Sequence, residues 1–163
     1  MPEGTKLGKQ LQTLLETAQT LNTKSDEING IITALDEQLA RANLGCEVWL
    51  DQYADHELSR RFAGRLDDPE GITRYEVRQL GYARCGDGWH LSVREVTVTE
   101  QTNAGGEPTE LRADALLLHP IRGSTRQERI AALRLLPVLL ERLNQEAAAA
   151  IQTIEDAKRL VVC

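Results

Sequence analysis

The sequence predicts an α+β fold: two long antiparallel helices, forming a coiled-coil-like hairpin, with a small antiparallel β-sheet head inserted between them. Three observations predict it. Apolar residues recur at alternating steps of three and four at both ends of the chain. Every aromatic residue lies between Trp49 and Trp89. Two strand-like runs, Tyr75–Arg84 and Trp89–Glu100, flank Cys85-Gly86-Asp87-Gly88, where Asp-Gly is a strong hairpin signal because glycine supplies the positive φ of a tight turn. The 163 residues then form a single domain, with a long helix over 5–43, a β-rich head over 45–119 and a second long helix over 124–161.

The first helix is predicted by a seam of Leu7, Leu11, Leu14, Ala18, Leu21, Ser25, Ile28, Ile32, Leu35, Leu39 and Ala42, unbroken across five heptads. Gly8 and Gly30 weaken it by about 1 kcal/mol each relative to alanine, and Asn43-Leu44-Gly45 supplies the stop. Leu15 and Ile31 flank the seam where a two-stranded coil would carry charge. The apolar stripe is therefore as wide as that of a bundle helix.

In the head, Gly45–Asp51 alternates as a first strand, and Tyr53–Leu66 reads as helical because Leu58, Phe62 and Leu66 recur every four residues. Asp67–Gly71 is a turn and Asn103–Pro108 a loop. Trp89, Leu91 and Val93 share one strand face, whereas Val96 and Val98 have the opposite parity. That switch predicts a bulge near Arg94-Glu95. Leu111–Leu118 is a last strand, and Leu116-Leu117-Leu118, apolar on both faces, predicts a central or covered position.

Ser124–Glu128 carries a capping-box pattern at the start of the second helix. Its seam is Leu133, Leu136, Leu140, Leu143, Ala147, Ala150, Ile154, Ala157 and Val161, with Pro137 predicted to kink it near Leu133. Similar lengths and a shared head predict that the two helices lie antiparallel, with both termini at the far end of a stalk.

Composition excludes several classes of function. The net charge is −6, and residues 44–121 hold eight basic against fourteen acidic groups, so the head repels phosphates and a nucleic-acid partner is disfavoured. No run is long and apolar enough to span a membrane, and no secretory leader is evident. Three widely spaced cysteines, Cys46, Cys85 and Cys163, argue against a disulfide framework and for a reduced, cytoplasmic setting. With His56, His90 and His119 they show no metal-ligand spacing, so no metal and no cofactor is expected. Cys85 and His90 lie across the hairpin from one another, but no third group completes a nucleophilic site. No catalytic residues are assigned, and a non-enzymatic role is expected.

What the sequence does offer is surface for association. Leu15, Ala18 and Ile31 on the first helix, with Leu139, Ala147, Ala150, Ile151 and Leu160 on the second, form a candidate oligomer interface. The partner expected is a second copy of the chain, as a homodimer or higher, together with another protein on the head. The function these features support is an oligomeric scaffold or adaptor. The alternative is a ligand- or nucleic-acid-binding module built on Arg122, Arg126 and Arg129, a candidate anion contact at a helix N-terminus.

Overall fold

A computed structural model describes residues 2–50, 56–65, 71–86, 88–102, 106 and 108–161. A single helix, α1, spans Pro2–Ala42 and ends at Asn43, whose positive φ of 49° and N–H bond to the Leu39 carbonyl close the last turn. Strands β1 (Val48–Trp49), β2 (Glu57–Arg65), β3 (Ile72–Cys85), β4 (Gly88–Thr102) and β5 (Pro108–Pro120) follow. A 3-10 turn at Ile121–Gly123 then leads into α2, Arg126–Val161, which continues unbroken through Pro137.

All five strands join one antiparallel sheet in which β1 and β2 share one side of β3, β4 lies on the other, and β5 follows. The β3–β4 hairpin is its spine, paired without a register shift from Ile72–Gln101 to Cys85–Gly88 around Gly86, which has φ +67°. Near the turn, Leu80 and Tyr82 pair with Val93 and Leu91, and all four are buried against Ile32 and Leu39 of α1 and Leu135, Leu139 and Leu143 of α2. Farther along, Tyr75 and Val77 pair with Val98 and Val96 and form a second cluster on the opposite face.

Several features differ from expectation, each for a physical reason. The parity switch along β4 is no bulge in that strand. The sheet buries both of its faces at different heights, so apolar residues change parity where the buried face changes. The register shift lies instead in the β4–β5 ladder, between Glu95–Leu117 and Val96–Ala115, with the extra residue in β5. That strand is an edge strand, not a central one, and exposes Leu117 and Leu118. Within Tyr53–Leu66, residues 57–65 are strand β2 and not helix, while 53–55 and 66 lie outside the described residues. Two register shifts in β2, one between Glu57 and Ser59 and one between Phe62 and Gly64, break its period of two. Leu58 thereby enters the helix-side core while Phe62 stands beside Tyr75 on the other face, and their spacing of four imitates a helix. The first strand is only two residues long, and the turn at 67–70 and most of the 103–108 loop fall outside the described residues.

The largest correction concerns the helices, which do not form a hairpin. In a hairpin the start of α2 would lie beside Ala42. Instead, Arg126 Nη2 donates to Asn22 Oδ1 at 2.8 Å, which places the start of α2 beside the middle of α1. Both helices use the sheet as their main partner: α1 meets β4, and α2 meets β1, β2 and β3. The seams identify residues that bury apolar surface, yet a strand face satisfies them as well as a helix does.

Candidate interaction surface

Each seam divides in two. On α1, Ser25, Ile32 and Leu39 are buried and Ile28 and Leu35 half-buried, whereas every residue from 4 to 17 is exposed. Leu7, Leu11, Leu14 and Leu21 are 67%, 53%, 62% and 44% exposed, although they continue the same register. On α2, Leu136 and Leu143 are buried, yet every residue from 148 to 161 is exposed. Both segments are helices in water on all sides. Leu7, Leu11, Leu14 and Leu21 on α1 and Ile151, Ile154 and Leu160 on α2 thus leave apolar surface in water.

The expected interface residues separate accordingly. Leu15, Ile31, Ile151 and Leu160 are 57%, 54%, 63% and 82% exposed, Ala150 is exposed, and Ala18 and Ala147 are half-buried. Leu139 is a correction: it is fully buried in the core of its own chain, so it joins no interface between copies. Sequence periodicity cannot make this distinction, because the buried half of a seam and its exposed half read alike.

The arginines at the start of α2 are held within the chain. Arg126 bonds to Asn22, and Arg129 Nη1 donates to the Ser124 carbonyl; Arg122 is exposed. Nearby, a cleft of about 360 Å³ is lined by Ser59, Arg61, Glu76, Arg78, Glu95 and Glu128, among others. Its charges are matched internally. Arg78 reaches Glu95 Oε2 at 3.1 Å and Glu128 Oε1 at 2.9 Å, and Arg61 pairs with Glu76. Glu128 also completes the capping box, accepting the Thr125 N–H at 2.9 Å while its own N–H bonds Thr125 Oγ1. Burial alone would push the Glu128 carboxyl up. The Thr125 amide and hydroxyl and the Arg78 guanidinium outweigh it and hold the group below the usual glutamate range.

His90 has a partner that the sequence did not suggest. Its Nδ1 lies 2.9 Å from Asp36 Oδ2, and the Leu91 N–H donates to Asp36 Oδ1 at 2.6 Å. Since β5 pairs with β4 only from Ser92 onwards, Leu91 lies just past that ladder. Asp36, 7% exposed, takes up the buried N–H and ties α1 to β4. An acidic residue among Ile32, Leu35 and Leu39 on the apolar face of a helix was the available signal. Cys46 and Cys85 are free thiols, and no cluster of metal-ligating side chains occurs among the described residues.

No known protein family, curated protein or solved structure matches this chain. Function therefore rests on geometry, and the feature without an internal purpose is the pair of exposed helical segments. No described helix is long and apolar enough to cross a membrane.

Proposed function

We propose that the protein is a self-associating scaffold or adaptor, non-enzymatic, whose projecting helical segments join copies and whose sheet presents a surface to a further protein. One observation carries this reading: residues 4–17 and 148–161 form helix with every residue exposed, yet retain the apolar seam of a helix built to be covered. The total surface supports it. A compact monomer of 18.1 kDa exposes about 8,100 Å², whereas this chain exposes 11243 Å². The excess, about 3,000 Å² in each chain, leaves ample surface for an interface of standard size, which takes about 800 Å² from each partner. On the sheet, Phe62 of β2 and Leu117 and Leu118 of β5 are exposed at opposite margins and suit a second protein. The anion-binding alternative has less support, since Arg126 and Arg129 already hold partners within the chain.

Sedimentation equilibrium tests the reading. The wild type sediments as a dimer or larger species at micromolar concentration, and the double variant Leu15→Glu, Ile31→Glu sediments closer to a monomer. Both sites are more than half exposed, so the fold of the variant is retained. A monomeric wild type under these conditions refutes the proposal.

A further inference from the structure

We propose that Cys85, at the tip of the β3–β4 hairpin, is a reactive thiol that forms mixed disulfides with small disulfides, with His90 as the base that takes its proton and Asp36 as the residue that positions His90. The site is independent of self-association. In the sequence, Cys85 and His90 lie across one turn without a third group; the fold supplies that group from α1. Asp36 Oδ2 lies 2.9 Å from His90 Nδ1. A carboxylate only accepts, so in the neutral ring Nδ1 carries the proton and Nε2 keeps its lone pair. Asp36 is itself held: its other oxygen accepts the Leu91 N–H at 2.6 Å, and the residue is buried. The ring cannot turn over without giving up its bond to a fixed carboxylate.

Gly88 shows where Nε2 points. A Cβ on Gly88 would stand 3.1 Å from Nε2 and 3.8 Å from Cδ2 and Cε1, so the imidazole lies over this glycine with Nε2 foremost. Gly88 is the ladder partner of Cys85. Residues directly opposite in an antiparallel pair project to the same face, with Cβ positions about 5 Å apart. Cys85 and His90 therefore share one face of the hairpin, separated by a glycine that has no side chain, and rotation about χ1 of Cys85 carries Sγ toward Nε2. Cys85 is a free, half-buried thiol beside the exposed Gly86, so a small disulfide reaches the sulfur without opening the fold. As Sγ attacks one sulfur of that disulfide, Nε2 takes the thiol proton. The new S–S bond forms, the old one breaks, and the departing thiolate receives the proton back from the imidazolium. One disulfide is consumed and one is made, so no further oxidant is needed.

The experiment compares the full-length wild type with His90→Asn and Asp36→Asn. The asparagine amide at 90 donates where Nδ1 does, so the bond to Asp36 is kept and only Nε2 is lost. The asparagine at 36 keeps an acceptor for the Leu91 N–H but donates to Nδ1, which moves the ring proton to Nε2. Each reduced protein is mixed with oxidised glutathione at neutral pH and sampled into acid. Mass spectrometry of peptic peptides then gives the rate of mixed-disulfide formation at Cys85 and at Cys46, the half-buried thiol packed against the core. Cys46 reports any loosening of the fold. The expected result is a Cys85 rate about tenfold lower in both variants, with the Cys46 rate unchanged. A Cys85 rate equal in wild type and His90→Asn overturns the proposal, as does a wild type in which Cys85 fails to react. Rates that move together at both cysteines also overturn it, since they report an altered fold and not a lost base. An unaltered Cys85 rate in Asp36→Asn overturns the positioning role of Asp36.

Discussion

Two carboxylates carry more of this fold than their number suggests. Asp36 is the acceptor for a buried backbone N–H and the partner of His90, so Asp36→Ala leaves the Leu91 amide unsatisfied in the core. A buried donor without an acceptor costs about 1–3 kcal/mol, and chemical denaturation should show a loss of that size. Asp36→Asn retains an acceptor oxygen and should lose less. Glu128 acts through its charge. Because its folded pKa is depressed, its contribution is fully present above the ordinary value of 4.5 and is lost as pH falls through the lower folded value. Glu128→Gln should therefore flatten the acid side of the stability profile while lowering stability at neutral pH. An unchanged acid limb in the variant would show that Glu128 contributes no charge-dependent stability. Neither role is written in local sequence alone. Glu128 is announced by the capping box with Thr125, but Arg78, its distant partner, becomes visible only when the sheet is assembled.

At the scale of the elements, β1 shows how close contact substitutes for length. With two residues it would hold poorly by backbone bonds alone, yet Val48 is buried and the Trp49 side chain occupies the space beside Gly81 of β3. A Cβ on Gly81 would run into the Trp49 ring and the Val48 carbonyl, so the backbone has to shift. Gly81→Ala should cost about 1–3 kcal/mol through overpacking. It should also change the tryptophan emission as β1 lifts away; unaltered emission and stability would contradict the contact. The helices, the β3–β4 hairpin and the capped start of α2 were legible because each rests on local chemistry: a heptad seam, a glycine-rich turn whose positive φ falls at Gly86 rather than at the Gly88 of Asp-Gly, a Thr125–Glu128 box. The strand identity of 57–65 and the edge position of β5 were not. Bulges in β2 shift Leu58 and Phe62 to opposite faces at a helical spacing, and the run Leu116-Leu117-Leu118 looks the same whether its strand is covered or at an edge.

At the scale of the molecule, the chain combines a closed core with two open extensions, and its stability should divide the same way. The sheet, residues 22–42 of α1 and the first half of α2 enclose the core cluster, whereas residues 4–17 expose every side chain. A seam spread over both halves explains why the sequence reads as one continuous stalk: the same leucine spacing serves an internal sheet in one half and a solvent-facing stripe in the other. An isolated helix of this length is marginal in water, so the extensions draw their order from continuity with the core and from any partner they meet. Deleting residues 1–21 removes neither Asn22, which holds Arg126, nor any residue of the core cluster. The truncated chain should keep the near-ultraviolet circular dichroism of the Tyr82–Trp89 stack, whose rings lie 5.6 Å apart. Its melting temperature should become independent of concentration, whereas that of the intact protein should rise with concentration, as mass action requires when folding is linked to assembly. Collapse of the aromatic signal on truncation would mean that the extension is part of the core after all. A concentration-independent melting temperature in the intact chain would remove the link between folding and assembly.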